Sequence, residues 1–140
     1  MNIGLEVREE CVEIFTELKL HHKYKFMIFK ISDDDTSIFV EKVGPISSTF
    51  DQLVAELPSN ECRYAIFDYA FEKNGRKRSR IVLITWAPDD AIVKYRTMYS
   101  ASKDSFKQKM VGISTDIQAT DLSELTEEIV LRKVLLTVRF

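Results

Sequence analysis

Few side chains in this sequence have the spacing that chemistry requires. His21 and His22 are adjacent, and adjacent side chains of an extended segment point in opposite directions, which disfavours a shared metal ion. Asp33, Asp34 and Asp35 are not followed by the alternating oxygens, central glycine and terminal glutamate of a calcium-binding loop. Because aspartate readily hydrogen-bonds to its own backbone in turns, the run is interpreted as a solvated turn. We expect no metal site.

The two cysteines and four glycines disfavour covalent catalysis. Cys11 falls on the apolar stripe of a predicted helix, where a thiol packs as a small hydrophobe. Cys62 precedes a predicted strand, and neither thiol has a histidine nearby in the sequence. The chain also lacks a glycine-rich phosphate loop, a dinucleotide fingerprint and a Gly-x-Ser-x-Gly elbow. We therefore expect no enzymatic activity and no cofactor.

One stretch of the chain is strongly basic. Residues 73–109 contain ten Lys or Arg and three Asp or Glu, a net charge of +7, whereas the remaining residues carry a net charge of −9. Such an imbalance favours an acidic partner, and an acidic protein surface and an anionic lipid headgroup fit equally well. Nucleic acid is disfavoured, because the chain is acidic overall and shows no aromatic stacking stripe on a basic sheet.

Hydrophobic periodicity predicts the elements that position these charges. Apolar residues recur at steps of four, three and four between Val7 and Leu18, which is typical of an amphipathic helix. Asn74-Gly75, between two apolar runs, predicts a hairpin turn. The predicted helices are Glu6–Lys19, Thr49–Leu57, Asp90–Met110 and Leu122–Leu136, and the predicted strands are Lys23–Ile31, Ile38–Val43, Arg63–Phe71, Arg80–Ala87 and Asp116–Ala119.

These elements predict one α+β domain over residues 1–140, with five strands between layers of helix. The strands are almost continuously apolar, which indicates a sheet covered on both faces. On the third helix one face is expected to hold Ile92, Tyr99, Phe106 and Met110. On the last helix the core side is expected to hold Leu122, Leu125, Ile129 and Leu136. No secretory signal and no apolar run of about 20 residues is evident, so we expect a cytoplasmic protein with reduced thiols.

Five segments resemble the ADF/cofilin family. Glu61–Tyr69 (ECRYAIFDY) is similar to the family pattern CRYAIYDF, and Arg78–Ile81 (RSRI) is similar to RSKI. Trp86–Asp89 (WAPD) resembles WxPD, and Met98–Asp104 (MYSASKD) resembles the signature of the family's long helix. Gly112–Asp121 matches the segment that follows that helix. The resemblance runs in register over nearly the whole chain.

The resemblance implies the ADF-homology fold, a mixed five-stranded sheet flanked by helices on both faces. It implies a protein of the actin cytoskeleton that binds actin monomers and filaments, favours ADP-actin, twists the filament and severs or depolymerises it. It also implies competition by phosphoinositides. The expected state is a monomer, and the expected mode of action is surface contact.

The resemblance also assigns contact residues in three groups. Those expected to contact both monomers and filaments are Ile3, Gly4, Leu5, Lys94, Arg96, Met98, Asp121 and Glu124. Those expected on the filament side are Arg78, Arg80, Arg132 and Lys133. The candidates for anionic lipid are Lys77, Arg78, Arg80, Lys94, Arg96 and Lys103.

Several positions depart from the family pattern. Ile3 stands where many members carry a phosphorylatable serine, so inhibition by phosphate at this point is not expected. Lys94-Tyr95-Arg96-Thr97 replaces R-S-K-M, which adds a bulky tyrosine and removes a methionine. Two alternatives stay open at this stage: a filament-side binder of the same fold that does not sever, similar to coactosin, and a binder of anionic lipid.

Overall fold

The structure, a computed structural model, describes residues 4–138, and Ile3 of the predicted contact arm lies outside these residues. The elements, in chain order, are β1 (Glu6–Val7), α1 (Glu9–His21), β2 (Tyr24–Ile31), β3 (Ser37–Pro45), α2 (Phe50–Ala55), β4 (Arg63–Lys73), β5 (Arg76–Trp86), α3 (Val93–Lys109), β6 (Ile113–Ala119), a 3-10 helix (Leu122–Leu125) and α4 (Glu127–Leu135).

The strands form one mixed sheet in the order β1-β3-β2-β4-β5-β6. The β1–β3 and β5–β6 pairs are parallel, and the other pairs are antiparallel. The predicted count of five strands was one too low, because β1 has only two residues. A segment this short has no periodicity to detect, and its pairing through Glu6 N–H to Thr36 O at 3.0 Å is visible only in the fold.

Helices cover both faces of the sheet, as predicted. Leu18 of α1 and Phe106 of α3 are buried in one core, with Met27, Tyr64 and Leu83 of the sheet. The opposite core holds residues of α2 and α4, which pack on the alternate residues of the same strands. This second core includes Leu53, Val130, Val134, Phe67, Val82 and Ile84.

The β4–β5 hairpin is the longest feature of the sheet. The two strands pair from Arg63 opposite Trp86 to Lys73 opposite Arg76, through the predicted Asn74-Gly75 turn. Asn74 and Gly75 have φ values of 53° and 76°, as a two-residue hairpin turn of right-handed twist requires. The strands were predicted to stop earlier, because their charged ends resemble a loop. The turn fixes the pairing regardless of those charges.

The first and third helices begin later than predicted. Glu6 and Val7 pair with β3, so α1 begins at Glu9. Pro88–Ala91 forms a turn closed by Ala91 N–H to Pro88 O at 2.9 Å, so α3 begins at Val93. Ile92 therefore precedes the helix and is 68% exposed, so its predicted place on one face with the buried Tyr99, Phe106 and Met110 was wrong.

The last predicted helix is broken at Thr126. Thr126 is extended (ψ 151°), and its hydroxyl caps α4 by accepting from the backbone N–H of Ile129. The interruption changes which side chains before and after Thr126 face the sheet. Leu122 and Leu136 are therefore exposed, contrary to the prediction. Leu125, by contrast, is buried, and Val130 and Val134 take the remaining core positions.

Two tyrosines connect α3 to the sheet through hydrogen bonds and ring stacking. Tyr64 of β4 donates a hydrogen bond to the carbonyl of Tyr99 at 2.5 Å, and the Tyr99 hydroxyl accepts from Ile31 N–H at 2.8 Å. The Tyr64 ring also stacks on Phe106 with the ring centroids 4.6 Å apart. Burial raises the pKa of Tyr99 to about 12, so both hydroxyls stay neutral and α3 is held in a fixed position.

We expect Gly44→Ala to lower the free energy of unfolding by about 1–3 kcal/mol. Gly44 of β3 lies opposite Phe26 of β2, and a Cβ at this position would lie 2.1 Å from the buried Phe26 ring. Urea denaturation of the two proteins measures the difference. The cost should shrink when Phe26→Leu is also present, and an equal cost in both backgrounds would contradict the predicted clash.

Candidate functional site

The β5–α3–β6 crossover brings distant residues of the sequence together. The backbone N–H groups of Ala87 and Asp89 donate to the carbonyls of Ala119 and Thr120 at 3.0 and 3.3 Å. The first turn of α3 therefore lies beside the segment that follows β6. This brings the predicted contacts at the start of α3 near those of the 3-10 helix. Together with Gly4 and Leu5 of the predicted N-terminal arm, these residues are called the α3 surface: Gly4, Leu5, Lys94, Arg96, Met98, Asp121 and Glu124.

Lys94 and Arg96 project from opposite flanks of α3, because residues two apart on a helix diverge by about 200°. Each is paired with an acid of the same chain. Lys94 Nζ lies 2.7 Å from Asp35 Oδ2, and Arg96 Nη2 lies 3.8 Å from Asp89 Oδ1. The hydrogen bond and charge of Asp35 raise the pKa of Lys94, so this lysine is charged at neutral pH.

An open groove of about 630 Å³ runs between α3 and β6. Arg96 and Ser100 line one wall, and Thr85 and Gln118 line the groove as well. Thr85 Oγ1 and Arg96 Nε are buried and have no hydrogen-bond partner among residues 4–138. Buried polar atoms are normally paired, so these two atoms are exceptions beneath the floor of the groove.

Asp121 and Glu124 shape the segment between β6 and α4. Asp121 caps the 3-10 helix by accepting from Ser123 N–H at 2.8 Å. Glu124 Oε1 accepts from the Thr120 backbone and hydroxyl at 2.9 and 2.8 Å, and these bonds lower the pKa of Glu124. The Glu124 carboxylate is therefore ionised at neutral pH, and both carboxylates are held in place by these hydrogen bonds.

The remaining members of the α3 surface differ in how accessible they are. Gly4 is exposed, with a φ of 69°. Leu5 is half-buried and lines a small cavity with Ala101 and Phe106 of α3. Met98 is also half-buried against the α1–α3 core, so only part of its side chain is available to a partner.

The second group of predicted contacts lies toward the other end of the sheet. Arg80 and Arg78 are opposite Tyr69 and Phe71 in the ladder, and these aromatic residues pack on the face that α4 covers. Arg132 and Lys133 are exposed on α4. We call Arg78, Arg80, Arg132 and Lys133 the hairpin surface.

The position of α4 beside this end of the hairpin is supported by its contacts. Burial, and then the charge of Glu127 at the start of α4, raise the pKa of Tyr69. Thr137, just after α4, lies 3.4 Å from Thr115 of β6 between hydroxyl oxygens. Trp86 is eight positions after Arg78 in β5, which is roughly 26 Å of strand. Arg78 is therefore far from the end of β5 that leads into α3.

The six lipid candidates do not form a single patch. Lys77 precedes Arg78 in an extended strand and so points to the opposite face of the hairpin. Lys103 is only 19% exposed and pairs with Asp116 at 3.1 Å. Lys94 lies at the far end of α3 from the hairpin. An anionic membrane would not meet all of these charges at once.

The match to known proteins covers the region that carries both surfaces. The sequence profile of Cofilin/tropomyosin-type actin-binding proteins matches residues 4–135. The chain belongs to this family. Among its relatives, actophorin of Acanthamoeba castellanii is 44% identical over 127 residues, which are 91% of this chain and 92% of actophorin.

Solved structures give the same family. The crystal structure of Streptomyces griseoflavus cofilin matches with a TM-score of 0.86 and 39% identity, over 93% of this chain and 96% of that protein. Coactosin from Entamoeba histolytica matches with a TM-score of 0.82 but only 20% identity, over 96% of each chain. The likeness to coactosin is therefore one of fold.

No sequence pattern indicates the acids that pair with the α3 cations. Asp35 was interpreted as part of a solvated turn, yet it contacts a residue 59 positions away. Asp116 holds both Lys103 and Lys107, at 3.1 and 3.5 Å. No local spacing connects such residues, and only the charge imbalance of the basic stretch could have prompted a search for compensating acids.

Both thiols are packed inside the α1–α3 core. Cys11 Sγ donates to the carbonyl of Ile38 at 3.4 Å. Burial raises the pKa of Cys11 to about 12 and the pKa of Cys62 to about 11. Since the thiolate is the reactive form, neither side chain is suited to act as a nucleophile at neutral pH.

We expect native protein to react with iodoacetamide at pH 8 about 100-fold or more slowly than protein unfolded in urea. The pKa of Cys62 rises from an ordinary value of 9.0 to about 11, so its thiolate fraction falls about 100-fold. Mass spectrometry over a time course measures both rates. Rapid alkylation of either cysteine in the native protein would contradict this account of the core.

Proposed function

We propose that this chain binds actin monomers and filaments and promotes the severing and depolymerisation of filaments in the cytoplasm. The observation that carries the proposal is the match of residues 4–135 to an actin-binding family. It is supported by two sets of charged residues, the α3 surface and the hairpin surface, near opposite ends of β5. The protein acts through contact alone, since binding energy is sufficient to shift a polymer between conformations.

The α3 surface is proposed as the contact for a single actin subunit. Lys94 and Arg96 flank the exposed side of α3, and the fixed carboxylates of Asp121 and Glu124 come shortly after Thr120, which lines the same groove as Arg96. Charged groups of both signs at one surface orient a partner as well as attract it. The net charge of +7 in residues 73–109 would steer encounter with an acidic protein.

The hairpin surface is proposed as a second contact, made on a neighbouring subunit of the filament. Because a single sheet joins the two surfaces, their separation is fixed. A filament that fits both surfaces is favoured over one that fits only the first, so binding shifts the filament toward the fitting geometry. Strain at the boundary between bound and bare segments then promotes breakage without any catalytic residue.

A filament-side binder that does not sever is the second candidate, because the fold is shared with coactosin. The higher identity to actophorin and cofilin favours the severing type. Fluorescence microscopy of labelled filaments separates the two candidates. Filaments that are decorated by the protein but never break would favour the coactosin type.

We expect the double substitution Lys94→Ala and Arg96→Ala to weaken monomer binding by about 2–5 kcal/mol, the cost typical of losing charged contacts at an interface. Titration of labelled actin monomers measures the loss. Arg78→Ala with Arg80→Ala removes the same charge from the other end and serves as the control. Unchanged monomer binding by the α3-surface variant would refute its assignment.

Filament binding should depend on both surfaces. Arg78→Ala with Arg80→Ala is expected to reduce co-sedimentation with filaments more than it reduces monomer binding, because only a filament supplies the second subunit. The circular dichroism spectrum of the variant should match that of the wild-type protein, as a control that the hairpin still folds. Equal losses for monomers and filaments would contradict a separate role for the hairpin surface.

A further inference from the structure

The turn between β2 and β3 holds the lysine of the α3 surface. Lys94 Nζ donates to Asp35 Oδ2 at 2.7 Å, and the Tyr95 hydroxyl donates to Asp35 Oδ1 at 3.0 Å. Lys94 Nζ also lies 5.3 Å from the centroid of the Tyr95 ring. The ammonium group is thus restrained by a carboxylate and by an aromatic ring.

Asp35 is itself held in place. Its backbone has a φ of 60°, and its N–H donates to the carbonyl of Ser32 at 2.8 Å. Asp34 closes the same turn, since its Oδ1 accepts from the hydroxyls of Ser32 and Thr36 at 2.6 and 2.7 Å. The bonds from Lys94 and then Tyr95 lower the pKa of Asp35, so the anchor is a charged group on a closed turn.

The restraint leaves Lys94 able to bind a partner. A lysine ammonium has three donor hydrogens, and Asp35 accepts only one of them. The Lys94 side chain is 60% exposed, so the other two are accessible from outside. A long side chain normally loses rotamer freedom when it enters an interface, and this loss of entropy weakens binding. A side chain that is ordered before binding loses less.

We infer that Asp35 and Tyr95 are positioning residues that hold Lys94 ready for an acidic group of the actin monomer and so strengthen binding through the α3 surface. The inference rests on the proposed function, because it takes Lys94 to be a contact residue. Tyr95 stands where the family pattern R-S-K-M has serine, and a serine hydroxyl on Cβ is too short to span this distance. The restraint of Lys94 therefore depends on the tyrosine that this chain has at position 95.

If Asp35 acted only through its charge, its neutralisation would have the opposite effect on actin binding. Removing an acid close to an interface with an acidic protein should strengthen binding, because repulsion falls. Positioning predicts that neutralising Asp35 weakens binding. The sign of the change therefore separates the two explanations.

Asp35→Asn is the suitable variant, because asparagine tolerates positive φ about as well as aspartate. Asp33→Asn is its matched control: it removes the same charge two residues away, and Asp33 is fully exposed and pairs with Lys30 at 3.8 Å. Asp35→Asn should bind actin monomers about 2- to 10-fold more weakly than Asp33→Asn, the cost of ordering one long side chain. Tyr95→Phe should weaken binding in the same direction.

Dependence on Lys94 distinguishes positioning from a general structural effect. In a Lys94→Ala background, Asp35→Asn and Asp33→Asn should bind monomers equally. Binding by Asp35→Asn that equals or exceeds that of Asp33→Asn in the wild-type background would overturn the inference. A loss that persists without Lys94 would overturn it as well.

NMR relaxation of the lysine ammonium groups tests the restraint without actin. The Lys94 ammonium should be more ordered than that of exposed Lys109, and Asp35→Asn should abolish the difference. Equal mobility of Lys94 and Lys109 in the wild-type protein would overturn the inference even if actin binds. An ordered Lys94 in a protein that ignores actin monomers would instead overturn the proposed function, and with it the role assigned to the restraint.

Discussion

The eleven-residue ladder between β4 and β5 is the constraint on which both surfaces depend. A two-residue turn at Asn74-Gly75 fixes its register. Pairing of β4 with β2 extends only to Phe67, and pairing of β5 with β6 begins at Ile81, so the basic end of the hairpin projects beyond its neighbours. The other end of β5 leads into α3. One strand therefore carries Arg78 and Arg80 near one end and leads into the helix of Lys94 and Arg96 at the other.

This arrangement accounts for a function that needs no reactive group. The two thiols are protonated and buried, and the perturbed carboxylates among residues 4–138 serve turns and ion pairs. What the fold supplies is a fixed distance between two sets of charges. Such a protein acts on a polymer by preferring one geometry of neighbouring subunits, and the free energy of binding performs the work.

The sequence predicted those features that arise from local patterns. The Asn74-Gly75 turn and the start of a helix at Thr49, which forms a capping box with Gln52, were identified correctly, because each depends on neighbouring residues. The start of α3 at Val93 and the break at Thr126 were missed, since turns that are stabilised by tertiary contacts resemble the first turns of helices. The pairing of Asp35 with Lys94 was also missed, because it depends on how the β2–β3 turn meets α3.

Imaging the decorated filament by cryo-electron microscopy tests the central claim most directly. The account predicts that the α3 surface lies on one actin subunit and the hairpin surface on its neighbour, with the sheet between them unchanged. The density should also show a filament twist that differs from that of bare actin. Contact of both surfaces with a single subunit, or a hairpin surface left in solvent, would contradict the account.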